Sequence, residues 1–433
     1  MPIPRRPNTP RSDAEARPPA RRRDWRHAWL AGLILMMATG LAHAVDRRAI
    51  ERDFQAFLAN EIWPEAQAAG VSRTAFNAAL GGVTLDWDLP ELVPPGTSAP
   101  HTVESQAEFR SPGAYFNQNN LNTQVAIGRR LIKKWGKTLA AIEQRFGVPG
   151  EIPLAIWARE TSFGNAKLPY SAIRTLATRA YMGRRKAFFR PELIAALQIV
   201  EAGDIKPSQM KSSWAGALGQ PQFLPSYYLN YAVDFDGDGH RDIWNSVPDT
   251  LASIANFLLH KGWDPERGWG IEAAVPAAVP CYLEGPEQGR GMAEWGKLGV
   301  TWIDGRPLPR IEQNREAFLL MPAGRLGPAF IVSGNFYVLK EYNYSDLYAL
   351  YVGHLADRFA DNKPFVAKWG KVGGFSRADV ARMQRQFEAQ GFDVGGSDGL
   401  VGFKTRITVG QWQAKNGDTI TCLPDAGMIR SIH

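Results

Sequence analysis

The chain has 433 residues, 45% apolar and 21% charged, an ordinary globular balance that excludes disorder throughout. With 42 glycines, 30 prolines and two cysteines it is neither collagen-like nor low-complexity, and it cannot build a disulfide scaffold or a Cys-rich zinc site. No run of about 18 or more strongly apolar residues occurs, which excludes a multi-spanning membrane protein, and the formal net charge of +7 is gathered mainly at one end.

Residues 1–44 carry Arg5, Arg6, Arg11, Arg17, Arg21, Arg22, Arg23 and Arg26 against Asp13, Glu15 and Asp24. An apolar run from Ala28 to Leu41 and the small-residue site Ala42-His43-Ala44 follow. This order reads as a secretory signal peptide, with no cysteine after the site to make a lipoprotein. The remaining chain is close to neutral, so nucleic-acid binding is not implied. Export implies an oxidising compartment. There Cys281 and Cys422 either pair or stay buried as thiols, and the sequence leaves both open.

Residues 46–80 read helical, and Asp86 to Thr102 reads Pro-rich and extended. Val125, Leu131, Ile132, Leu139, Ile142 and Phe146 recur at helical spacing, predicting a helical region over 121–146 with a break near Gly136. Further helices are predicted over 152–163, 191–202 and 250–260, the last with Asp249 as N-cap. Residues 270–333 turn to Pro, Gly and short apolar runs such as Ala329-Phe330-Ile331-Val332, a small β-rich subdomain. A helix returns near Ser345–Phe359. Residues 361–375 read as a linker, and 376–433 as a compact unit of a helix at 376–390, a Gly-rich loop and a helix at 403–415.

Four stretches carry polar chemistry. In Ile156-Trp157-Ala158-Arg159-Glu160-Thr161-Ser162-Phe163-Gly164 the carboxylate of Glu160 ends an apolar helix. Desolvation among Trp and Phe raises its pKa towards what a general acid needs. Ser213 to Ser226 mixes small residues with Ser213, Gln220 and Gln222, neutral hydrogen-bonding groups suited to sugar hydroxyls and acetamido groups. Asp234-Phe235-Asp236-Gly237-Asp238-Gly239-His240 matches the start of an EF-hand loop. Asn245 stands where the usual Glu would be, and Asp249 is placed to supply the missing carboxylate. Asn335 to Tyr348 is dense in Tyr and Asn, which stack on and hydrogen-bond to sugars or serve as core aromatics. The pair Arg184-Arg185 offers forked hydrogen bonds to a carboxylate.

In this order the four stretches resemble the lytic murein transglycosylase B family, from about Phe54 to Phe359. The most specific part is Ser213 to Trp244. The C-terminal unit resembles a type 1 peptidoglycan-binding domain, through Val380, Met383, Gln384, Phe387, Asp398-Gly399, Thr405 and Gln411-Trp412-Gln413. The resemblance implies a mainly α (α+β) protein: a goose-lysozyme-like helical core over 45–360 with the β-rich subdomain, plus a small helical peptidoglycan-binding domain. It implies Glu160 as the catalytic acid, and Ser213, Gln222, Arg184, Arg185, Tyr342, Asn343 and Ser345 on substrate. It implies structural calcium at Asp234, Asp236, Asp238 and His240, joined by Asp249, and no cofactor for catalysis. The expected substrate is the peptidoglycan glycan strand, cleaved between N-acetylmuramic acid and N-acetylglucosamine to leave 1,6-anhydromuramoyl ends. The expected setting is the periplasm, as a monomer alongside cell-wall synthesis or remodelling proteins. A muramidase-type hydrolase and a catalytically silent peptidoglycan-binding scaffold are the competing readings.

Overall fold

The computed structural model describes residues 46–98, 112–309 and 312–432; the segment 1–44 read as a signal peptide lies outside them. Residues from Ile50 onward form one unit. Among the described residues no helix is long and apolar enough to cross a membrane.

Helices dominate, as expected. Arg47–Phe57, Trp63–Ala68 and Arg73–Leu80 lead in, the first two joined by a π-turn at Leu58–Ile62. A long helix, Gln118–Phe146, follows and runs unbroken for 29 residues. The break expected near Gly136 does not occur. One helical glycine costs about 1 kcal/mol, while Leu121, Val125, Leu139, Ile142 and Phe146, all buried on one face, each contribute roughly 1.5–3 kcal/mol. Gly128 matters more: a Cβ there would sit 2.2 Å from the Phe359 ring, so this glycine lets the helix Asp346–Ala360 pack close.

The helix Glu151–Thr161 lies at the centre. Ile152 to Ala158 are all buried, and an all-round apolar helix must be enclosed by other elements. Its neighbours are Gln118–Phe146, Val247–His260 and Asp346–Ala360. The helices Ala172–Met182 and Lys186–Ala202 pack on one another, the first leading on from β1 (Tyr170–Ser171), which pairs with β2 (Lys211–Ser212) in a two-stranded ribbon.

The β-rich subdomain is a five-stranded antiparallel sheet in the order β4-β6-β7-β3-β5. Its strands are β3 (Gly270–Ala274), β4 (Arg290–Gly291), β5 (Thr301–Trp302), β6 (Glu316–Leu320) and β7 (Ala329–Val332). Phe318, Leu320, Phe330 and Val332 join the helical core. Leu319, Ile331 and Ala329 face a second core with Trp295, Cys281 and Cys422. This alternation is what a sheet buried on both faces requires.

The C-terminal helices Arg377–Ala389 and Phe403–Asn416, with a third at Ala426–Ser431, enclose their own core of Val380, Met383, Phe387, Val409 and Ile429. Cys281 and Cys422 are disulfide-bonded across 141 residues. Beside them Arg406, 3% exposed, binds both oxygens of the fully buried Glu284 at 2.8 and 2.9 Å and reaches Asp346 at 3.1 Å. Residues 361–375, expected as a linker, run against the core. Phe365 stacks on His354, Trp369 stacks on Phe116, and Glu272 accepts from the amides of Val366 and Ala367.

Candidate active site

The centre of the site is the end of Glu151–Thr161. Ser162, Phe163 and Gly164 follow it in left-handed backbone, with φ of 51°, 59° and 78°. Gly164 is required here, because a Cβ would meet the Gln220 amide oxygen at 2.3 Å. Two non-glycine residues held at positive φ store strain that the surrounding contacts must over-determine. Those contacts come from Gln220, whose side chain accepts from Trp157 Nε1 and donates to the Trp244 carbonyl, both at 2.8 Å. Its backbone carbonyl accepts from the Thr161 hydroxyl at 2.8 Å. The side-chain amide of Gln220 is therefore engaged in positioning the helix end.

Glu160 itself is half-buried. Burial pushes its carboxyl from the usual 4.5 up to about 6, against the opposing Tyr348 hydroxyl and the Arg159 charge. Tyr348 donates to Glu160 Oε1 at 2.6 Å from the first turn of Asp346–Ala360. Tyr342 stacks parallel to Tyr348, 6.3 Å between ring centres, and its hydroxyl donates to the Pro221 carbonyl at 2.6 Å. Burial and the nearby Glu160 charge hold both phenols well above 10, so they remain protonated donors. Among the described residues no second acid acts on Glu160.

The Ser213–Phe223 loop folds on itself. Ser213 Oγ accepts from the Ala217 amide at 3.3 Å, and Leu218 pairs with Phe223. Gln222 sits at φ 56° and its side chain donates to the Gly219 carbonyl at 2.9 Å. Tyr342 ties this loop to Glu160. Asn343 is exposed, and Ser345 caps the following helix, its hydroxyl accepting from the Tyr348 amide at 3.3 Å. Arg184 and Arg185 are exposed at the start of Lys186–Ala202, with Arg185 over the rings of Phe188 and Phe189.

Sequence reasoning passed over the residue that organises this rim, Arg179. It is fully buried, donates to the Trp214 and Pro90 carbonyls and lies 3.5 Å from Glu91, joining the 86–98 segment to the Ser213 loop. Tyr348 was visible only as one tyrosine of an aromatic run; its distance in sequence from Glu160 hid the pairing.

At the acidic loop the carboxylates of Asp234, Asp236 and Asp249 lie within 4.8 Å of one another. Asp238 and His240 are not in that group; the Asp238 carboxylate accepts the His240 amide at 2.9 Å. Asp249 is not the N-cap of Val247–His260; Ser246 caps it, its hydroxyl accepting from the Asp249 amide at 3.2 Å. The Asp249 carboxylate instead turns back into the loop, accepting amides of Phe235, Asp236 and Asp242.

A lysozyme-like helical fold built around one desolvated glutamate is the class these features define. The transglycosylase SLT domain family matches residues 53–357, and the chain belongs to that family. It is 32% identical over 219 residues to "Membrane-bound lytic murein transglycosylase B" of Escherichia coli (strain K12), covering 50% of this chain and 58% of that relative. It is also similar to SltB3 from Pseudomonas aeruginosa, at 35% identity. Crystallised with NAG-NAM-pentapeptide, SltB3 superposes with TM-score 0.77 over 89% of this chain and 99% of that one. Crystallised with NAG-anhNAM-pentapeptide, it gives TM-score 0.75 over 88% and 99%. These relatives are enzymes.

Proposed function

We propose that the chain is a lytic transglycosylase that cuts peptidoglycan between N-acetylmuramic acid and N-acetylglucosamine without water. The observation that carries the reading is Glu160: a single carboxyl pushed up to about 6, hydrogen-bonded by Tyr348 and with no second acid acting on it among the described residues. Ordinary glycosidases need two carboxyls flanking the bond. Here protonated Glu160 donates to the glycosidic oxygen, and the muramoyl 2-acetamido group stabilises the cationic centre. Ionised Glu160 then takes the proton of the muramoyl 6-hydroxyl as that oxygen closes on C1, giving the 1,6-anhydro ring. Tyr348, a protonated donor, holds the carboxylate between the two transfers. That SltB3 binds NAG-anhNAM-pentapeptide supports this product.

Ser213, Gln222, Asn343 and the Arg184–Arg185 pair would line the glycan path, with Tyr342 and Ser345 holding its walls. Residues 376–433 would hold the enzyme on the sacculus. Asp234, Asp236 and Asp249 form an all-oxygen donor set that fits a hard cation such as calcium, which when bound would fasten the loop. The disulfide favours an oxidising compartment, consistent with export to the periplasm.

Digestion of purified sacculi followed by mass spectrometry of the new ends tests the reading. Anhydromuramoyl ends, absent with Glu160→Gln, are expected. Reducing muramoyl ends would make the enzyme a hydrolase, and binding without new ends would make it a scaffold.

A further inference from the structure

Next to Glu160 lies a pocket of about 530 Å³ that the reaction just described does not use. Its lining includes Tyr115, Asn120, Gln124, Arg159, Asn165 and Tyr351. Arg159 is the one cation among these lining residues. Its guanidinium lies 4.8 Å from the Tyr115 ring centre and 5.6 Å from that of Tyr351. The two rings meet edge to face at 5.5 Å, and Tyr351 is fixed in turn by donating to Gln124 at 2.7 Å. Nε and Nη2 of Arg159 both donate to the Tyr115 hydroxyl, at 3.1 and 2.8 Å. No acid lies within ion-pair distance of Arg159 among the described residues, and Nη1 has no acceptor there.

Arginine heads on an enzyme surface usually find an acid or spread into water. This one is clamped by two aromatic rings and one hydroxyl, so little entropy remains to be lost on meeting a partner. A pre-oriented fork with an unused N–H, in a pocket lined by amides, is the arrangement that takes a planar carboxylate. The pocket adjoins the residue placed at the scissile bond, and the substrate class proposed above carries peptide stems with free carboxylates.

We infer that the Arg159 pocket recognises a carboxylate of the peptide stem on the glycan, making Arg159 a specificity-determining residue. This inference rests on the peptidoglycan reading above, and binding, not turnover, separates the two.

The test uses the full chain carrying Glu160→Gln, soluble NAG-NAM-pentapeptide, and the same molecule with its carboxylates converted to carboxamides. Affinities are read by calorimetry. Amidation should weaken binding roughly tenfold, as loss of a charge-assisted hydrogen bond does. Adding Arg159→Met should abolish that discrimination, and Arg159→Lys should restore part of it. Tyr115→Phe, which removes only the orienting hydroxyl, should fall between. If amidation weakens Arg159→Met as much as its parent, the carboxylate is read elsewhere and the inference is wrong. If Arg159→Met binds both ligands with the parent's affinities, it is equally wrong. If neither ligand binds any variant, the peptidoglycan reading falls and takes the inference with it. A transglycosylase that fails only the amidation comparison keeps its function and loses this pocket.

Discussion

Replacing Glu160 by Gln should abolish cleavage, and it should also stabilise the folded protein, but only at higher pH. The folded-state pKa of about 6 stands above the ordinary 4.5 because burial disfavours the carboxylate. A raised carboxyl pKa means the folded state holds its proton more tightly than the unfolded chain does. The associated stability is present in full below about pH 4.5 and is lost as pH rises through about 6. At about 1.4 kcal/mol per unit, the loss is about 2 kcal/mol by pH 8. Glutamine has no proton to lose, so it escapes this cost while keeping the acceptor for Tyr348. The stability difference between Glu160→Gln and the parent should therefore grow by about 2 kcal/mol between pH 4 and pH 8. In a chain of this length that is a melting shift of roughly 2 °C. Parallel melts at the two pH values, by calorimetry or circular dichroism, measure it. A difference that does not change with pH would mean that Glu160 is not desolvated as described, and the acid role would lose its physical basis.

The pH dependence of kcat/KM should fall on the alkaline side near 6, and Tyr348→Phe should move that limb upward, because the phenol stabilises the ionised form; an unmoved limb would remove Tyr348 from the site. Calcium should raise the melting temperature by mass action, and Asp249→Asn should remove that response; a melt indifferent to calcium and chelator would show the cluster does not bind it. Arg406→Met should cost about 3–5 kcal/mol, because Glu284 would be left buried without its partner, and Glu284→Gln added to it should recover much of the loss; urea titrations of the single and double variants decide this.

The centre of the fold was open to reading because its signals are local. An apolar run ending in Glu160 and Gly164 specifies a buried helix with a carboxylate at its end, and the β-rich change after residue 269 follows from composition. What stayed hidden depends on partners far along the chain. Tyr348 meets Glu160 across 188 positions, and nothing near either residue announces it. Gln220 looks the same in sequence whether its amide faces a sugar or the Trp157 indole. Asp249 has the right type and place for a cap, yet the loop before it draws the carboxylate away. Gly136 reads as a break until the burial of apolar residues on either side of it, Leu121 and Val125 before and Leu139, Ile142 and Phe146 after, outweighs one residue's propensity. The cysteines had two possible states, and only the approach of β3–β7 to the segment before Cys422 decides between them.

The attachment of the last sixty or so residues has a consequence for how the protein can be taken apart. A module on a free leash can be cut away without harm to its neighbour. Here removal would leave Cys281 without its mate, strand Glu284 beneath an absent cation, and strip Thr421 from its close seat against Gly324. A shortened chain that fails on soluble fragments would therefore not show that the C-terminal unit does chemistry, because the sheet beside the site would have lost a wall. Single surface exchanges on the Arg377–Ala389 and Phe403–Asn416 helices, with the disulfide and the Arg406 cluster intact, are the way to separate holding the wall polymer from cutting it.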